Sequence, residues 1–265
     1  MQQLTRFVFI IFVLAACNNT ANEQPVTKQE IPEKEKEMKD AITKYPDSVL
    51  LRENLIQYYQ DNGTIDLALA EINKAIGKDT SNSQLWDKKA ELYILQSDTL
   101  NAIKAYEKAI DIFPDPQYIM SLGWLYAKTK NANALVMANA LLMAQKANAA
   151  KEALLIKGLY FSSTGDNKKA LAFFDNCLAL DYTFMFAYRE KAIVLYDMGK
   201  YDDAITVLNK AVTLQNNFDE GYYWLGKCCE KLKKTNEAIE SYKTALMYNP
   251  DYVEASDALG KLGVK

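Results

Sequence analysis

The chain has 265 residues, 49% of them hydrophobic and 25% charged, which is the composition of a folded protein with a core of ordinary size and confines disorder to short segments. Its formal charge is -3 and its Lys residues are interleaved with Glu and Asp, so no basic surplus exists to neutralise a phosphate backbone and nucleic acid is excluded as a partner. It has no His, which removes the usual general base, the imidazole of nucleophilic triads and the commonest metal ligand together, and argues for a chain that is not an enzyme and holds no metal or cofactor.

At the N-terminus a single charge, Arg6, precedes the apolar run Phe7 to Ala16 and then Cys17. The run is too short to span a bilayer, and residues 1–16 read as a signal peptide. Leu14-Ala15-Ala16-Cys17 resembles the lipobox of bacterial lipoproteins, which implies cleavage before Cys17 and acylation of its thiol and new amino group. Asn18 resembles the residue that follows the acylated Cys in lipoproteins sent to the outer membrane, and no acidic run follows Cys17, so the expected location is the cell envelope, at the outer membrane and facing the periplasm. From Asn18 to Glu33 the sequence NNTANEQPVTKQEIPE is polar, carries two Pro and has no apolar period; residues 17–33 form a lipidated Cys and flexible linker.

Beyond the linker a fixed period governs everything. Blocks 49–82, 83–116, 117–150, 151–184, 185–218 and 219–252 are each 34 residues long. Small residues recur at the twentieth slot (Ala68, Ala102, Ala170, Ala204, Ala238) and the twenty-seventh (Ala75, Ala109, Cys177, Ala211, Ala245). Large ones recur at the twenty-fourth (Ile72, Tyr106, Phe174, Leu208, Tyr242) and mostly at the eleventh (Tyr59, Tyr93, Phe161, Leu195). Apolar spacings of three, four and seven on two stretches, separated near the fifteenth slot by Gly63, Gly165 and Gly199, predict a pair of antiparallel helices per block. Small residues at the eighth slot (Ala90, Gly158, Ala192, Gly226) let the paired backbones approach. Cys177, Cys228 and Cys229 fall on such core positions and read as small buried hydrophobes, without metal-ligand spacing.

These blocks resemble the tetratricopeptide-repeat family, above all Ser83 to Pro116 (Trp86, Ala90, Tyr93, Ala102, Tyr106, Ala109, Pro114) and Asp219 to Tyr252 (Leu225, Gly226, Ala238, Tyr242, Ala245, Pro250). The resemblance implies an all-α fold, an α-solenoid of antiparallel helix pairs forming a right-handed superhelix over residues 34–265. Such an array needs polar end caps. Residues 34–48, with Ala41 and Pro46 in place, supply a lone second helix, and 253–265, with Leu259-Gly260, a lone first helix.

The third block breaks the pattern. Strict spacing puts bulky Trp124 at the tight eighth slot, whereas Leu122-Gly123 fits it one residue early, so a one-residue slip is expected. Its second helix, within Asn131 to Gln145, has no charge at all. Burial is the expected reason; the alternative is an apolar patch offered to a partner.

In this family the inner groove is lined by the first helices and receives an extended peptide or a partner's helix, with the second, fifth, sixth and ninth slots facing it. Carried over residue by residue, the partner-binding groove comprises Asn54 and Gln57; Gln84, Asp87, Lys88 and Glu91; Trp124; Leu155 and Leu159; Arg189 and Glu190; and Tyr223, Trp224 and Lys227. Trp124, Arg189, Tyr223 and Trp224 are the expected anchors. The family's carboxylate clamp needs Lys and Asn at the fifth and ninth slots, where the first block has Glu53 and Gln57, so that device is excluded. The acid pairs Asp202-Asp203 and Asp219-Glu220 fall at helix starts, where carboxylates meet free amides and the helix dipole.

The expected function is a non-catalytic protein–protein interaction scaffold, tethered to the membrane by an N-terminal lipid, that takes a protein or peptide partner and no small-molecule substrate and supports assembly of an envelope or secretion complex. The alternative is a regulator or adaptor of a cell-envelope hydrolase.

Overall fold

An amphipathic helix buries one face, and two such helices joined by a short turn still leave apolar surface that only the next pair can cover. The computed structural model describes residues 32–143 and 149–264, which contain fourteen helices and no strand. The signal segment, Cys17 and almost all of the linker lie outside the described residues.

After the lone helix α1 (Glu33–Lys44) come six pairs. They are α2 (Val49–Asp61) with α3 (Ile65–Lys78), α4 (Ser83–Leu95) with α5 (Thr99–Ile112), and α6 (Pro116–Lys128) with α7 (Asn133–Met143). Then follow α8 (Ala149–Ser163) with α9 (Asn167–Leu180), α10 (Met185–Asp197) with α11 (Tyr201–Leu214), and α12 (Asp219–Lys231) with α13 (Thr235–Tyr248); α14 (Val253–Lys261) closes the series. Each helix packs on the next in sequence throughout, which is the contact pattern of an α-solenoid.

The recurring residues do what their sizes imply. Ala68, Ala102, Ala170, Ala204 and Ala238 are completely buried, and so are Phe174, Leu208 and Tyr242 from the large-residue slot. Cys177, Cys228 and Cys229 are free and buried, and burial pushes the thiols of Cys177 and Cys228 up to about 12, which suppresses their reactivity. Helix starts are capped by side chains: Ser48, Asn82, Asp98, Asp115 and Asp166 each accept a backbone N–H from the first turn.

The turn inside every pair uses one left-handed residue at the same slot: Gly63, Ser97, Lys130, Gly165, Gly199 and Lys233, with φ from 60° to 88°. Only glycine adopts this conformation without strain. Gly199→Ala is therefore expected to lower stability by about 1 kcal/mol, read as a fall in the urea midpoint at unchanged slope. No fall would mean that the turn relaxes to another conformation.

Lys130 also settles the slip. It stands one residue earlier than the 34-residue spacing predicts, as does Pro116 at the start of α6. Gly123 therefore takes the tight slot: a methyl there would come within 2.8 Å of Ile156 Cδ1 and 3.0 Å of Met137 Cβ. Trp124 is left 38% exposed. The close approach at Gly123 lets α6 pack broadly on α8, whereas α8 and α10 touch only lightly.

The charge-free helix α7 corrects the expectation of burial. Ala134, Ala138 and Leu141 are buried, but Val136, Leu142 and Met143 are exposed, Met143 at 82%. Small residues on its inner face bring it close to α6 and α8, and this leaves the larger apolar ones outside.

A groove along the first helices

Positions three and four apart on a first helix share the face opposite its paired second helix. Two cavities open on this face. The first, of about 410 Å³, is lined by Glu53, Ile56 and Gln57 of α2, Gln84, Asp87 and Lys88 of α4, and Tyr118 of α6, with Ile72, Asn82 and Leu85. Gln57 Nε2 donates to Asp61 Oδ1 at 2.7 Å, and Lys88 Nζ pairs with Glu91 at 3.1 Å. Asp87 has no ion pair or hydrogen bond among the described residues. Burial pushes its carboxyl up to about 6, and Glu91 adds to the rise.

The second cavity, of about 240 Å³, spans four first helices: Ile94 of α4; Met120, Ser121, Trp124 and Leu125 of α6; Glu152, Leu155 and Ile156 of α8; and Phe186 and Arg189 of α10, with Tyr106 of α5 behind them. Ile94, Trp124 and Phe186 are exposed apolar side chains. Cations lie over the two aromatic rings, Lys128 Nζ 5.4 Å from Trp124 and Arg189 Cζ 5.1 Å from Phe186. The Glu152 carboxyl is also raised, by burial first, with Asp181 adding and Lys151 opposing.

Below the second cavity runs a charged lattice that joins three repeats. Arg189 Nη1 donates to both carboxylate oxygens of Glu220 at 2.6 Å, and its Nε and Nη2 donate to Glu190 Oε1 at 3.1 and 2.9 Å. Lys128 Nζ approaches Glu190 at 3.4 Å from two repeats away. Burial disfavours the Arg189 charge, but Glu190 and Glu220 outweigh it and hold the guanidinium proton more tightly than usual. Glu220 thus serves as an ion-pair partner as well as a first-turn acid, and its neighbour Asp219 accepts from Asn249 Nδ2 at 2.8 Å.

The structure brings Gln57, Gln84, Asp87 and Lys88 to one cavity and Trp124, Leu155 and Arg189 to the other. Glu91 joins the first through Lys88, while Asn54 stands exposed on α2 outside the lining. Four expected groove residues are corrected. Leu159 is 1% exposed, because the tight α6–α8 packing takes it into the core. Glu190 is 6% exposed and spent on Arg189 and Lys128. Trp224 is half-buried against Tyr196, ring to ring at 5.5 Å, so it packs between repeats. Tyr223 instead meets Tyr252 and Tyr242 of its own repeat, at 5.0 and 5.8 Å, and Lys227 lies 5.9 Å from Tyr196.

Sequence reasoning missed Glu152, Phe186, Met120 and Ile94. Glu152 and Phe186 occupy the second slot, already named as groove-facing, and the slip puts Met120 at the fifth. Ile94, a turn beyond the ninth slot, carried no such signal. Among the described residues no group of acidic and Cys side chains could hold a metal ion, and no helix is long and apolar enough to cross a membrane.

Comparisons with known proteins agree with this architecture. Family models described as "Tetratricopeptide repeat" match residues 83–116, 151–184 and 220–252, and one described as "TPR repeat" matches 193–233. The solved tetratricopeptide repeat protein from Parabacteroides merdae ATCC 43184 superposes with a TM-score of 0.73 at 20% identity, covering 86% of this chain and 91% of that one. PilW, described as a widely conserved type IV pilus biogenesis factor, superposes with a TM-score of 0.58 at 22% identity over 79% of this chain and 97% of its own. Among curated proteins, the Protein STIP1 homolog of Dictyostelium discoideum is 29% identical over 97 residues, which is 37% of this chain and only 17% of that protein. The repeats found by period, the helix pairs and these matches converge on an α-solenoid of tetratricopeptide repeats, an architecture that serves as a protein–protein interaction scaffold.

Proposed function

We propose that this chain is a non-catalytic scaffold of the bacterial cell envelope, tethered by a lipid on Cys17, that holds a peptide or partner helix along its first helices and supports assembly of an envelope or secretion complex. The observation that carries the binding role is the apolar cavity reaching from α4 to α10, with exposed Ile94, Trp124 and Phe186 at its mouth. Exposed aromatic side chains around a concavity are the surface that a partner's buried anchor needs. The tether rests on Leu14-Ala15-Ala16-Cys17, and the assembly role on the likeness of fold to PilW, which is itself a pilus biogenesis factor.

The test is co-purification of the membrane-extracted full chain from its native host beside a Trp124→Ala/Phe186→Ala variant. Both side chains are exposed, so the variant should keep its helicity and lie within about 1 kcal/mol of the parent in stability. Loss of the partner, with a tenfold or greater fall in its recovery, is the expected result. Equal recovery from a folded variant would move the site off the groove, and the exposed face of α7 would then be the surface to test. Cys17→Ser should release the protein from the membrane fraction and abolish labelling by fatty acid; retention would remove the tether from the proposal.

A further inference from the structure

The two cavities together contain three carboxylates and two cations: Glu53, Asp87 and Glu152 against Lys88 and Arg189. Both cations are already engaged, Lys88 with Glu91 and Arg189 with Glu190 and Glu220. None of the three carboxylates has an ion-pair partner among the described residues. Asp87 and Glu152 are moreover half-buried, so each loses water solvation without an ion-pair partner, and the nearby charges of Lys88 and Lys151 offset only part of that loss. The exposed apolar side chains Ile94, Trp124 and Phe186 line the same cavity as Glu152. A groove of this kind repels an acidic segment and rewards one that brings cations to its carboxylates and an apolar side chain to its cavity.

We infer that the groove selects a basic, apolar segment of a partner protein, with a Lys or Arg side chain of the partner seated at Asp87 and Glu53, a second reaching Glu152, and an apolar side chain of the partner between Trp124 and Phe186. This rests on the reading of the groove as a peptide site and specifies its ligand. The charge of this groove also runs against a clamp for a C-terminal carboxylate: at the fifth slot of the first repeat, where such a clamp needs Lys, stands Glu53.

The experiment titrates three synthetic nonapeptides, blocked at both ends, into the full chain by calorimetry: leucine alternating with lysine, with glutamate, or with serine. The lysine peptide should bind tightest, and Asp87→Asn/Glu152→Gln should weaken it about tenfold while leaving the serine peptide unchanged. These near-isosteric changes remove charge at two sites that disfavour it, so the variant should stay folded, with circular dichroism as the check. Failure of the lysine peptide to bind, equal or tighter binding of the glutamate peptide, or an unaltered affinity in the double variant would each overturn the inference. Trp124→Ala/Phe186→Ala separates the two levels. If the glutamate peptide binds and this variant loses it, the groove stands and its charge selection falls; if the lysine peptide binds and neither variant weakens it, the groove reading falls as well.

Discussion

Arg189→Met should cost about 3 kcal/mol of unfolding free energy, the largest loss expected from any single exposed or half-buried position in the chain. The reason is what the substitution leaves behind. Glu190 is 6% exposed and cannot return to water without moving α10, and without Arg189 its one remaining cation is Lys128 at 3.4 Å. An uncompensated buried carboxylate costs more than the intact pair contributes, so the size of the loss does not measure the strength of the bridge. The complementary changes make that distinction. Glu190→Gln leaves Arg189 with the two oxygens of Glu220 and should cost only about 1 kcal/mol. The double variant Arg189→Met/Glu190→Leu buries no charge and should lie within about 1 kcal/mol of the parent. Urea unfolding of the four proteins completes the cycle. If Arg189→Met were as stable as the parent, Glu190 would have to be solvated, and the lattice joining the third, fifth and sixth repeats would contribute nothing to holding them together.

This lattice shows where sequence reasoning reaches its limit in a repeat protein. The 34-residue period reports what recurs, so every feature tied to a slot could be read: the helix pairs, the buried Ala and aromatic positions, and the glycines of the turns. Even the slip was visible, because Leu122-Gly123 offered a better match than Trp124. Groove and core, however, are separated by contacts between repeats, and those depend on how far one pair is rotated and shifted against the next. Leu159 occupies the ninth slot as Gln57 and Glu91 do, yet the Gly123–Ile156 contact draws α6 onto α8 and buries it. Tyr223 and Trp224 have the chemistry of anchors, but Trp224 packs on Tyr196 of the preceding repeat, and Tyr223 on Tyr242 and Tyr252 of its own.

The charge inventory of the groove has the same origin. Seen as sequence, Asp87-Lys88 and Arg189-Glu190 are ordinary mixed charges on solvated helices. The fold pairs Lys88 with Glu91 and commits Arg189 to two acids, and only this leaves Asp87 and Glu152 without partners. Selectivity in such a groove comes from which charges the scaffold has already satisfied internally, and composition alone does not contain that information.

Gly158→Ala should destabilise the array by about 2 kcal/mol, although alanine is the better helix former by roughly 1 kcal/mol. A methyl at this position would lie within 3.0 Å of three ring atoms of Phe174, which is fully buried. Gly226 faces Tyr242 in the same way, with contacts of 2.5 to 2.8 Å, whereas the fifth repeat carries Ala192 at that slot and Leu208 opposite. Glycine with an aromatic ring and alanine with leucine are thus two fillings of one space between paired helices. Ala90 with Tyr106 in the second repeat shows that a methyl and a ring can coexist when the pair adjusts, which is why the expected cost is moderate and the fold survives. Phe174→Leu alone should cost about 1 kcal/mol from the lost volume. Gly158→Ala/Phe174→Leu recreates the filling of the fifth repeat, so its loss should be smaller than the two single losses together by at least about 1 kcal/mol. Strict additivity would show that the backbone at α8 and α9 moves apart to admit the methyl, and that glycine is not what sets the approach of the two helices.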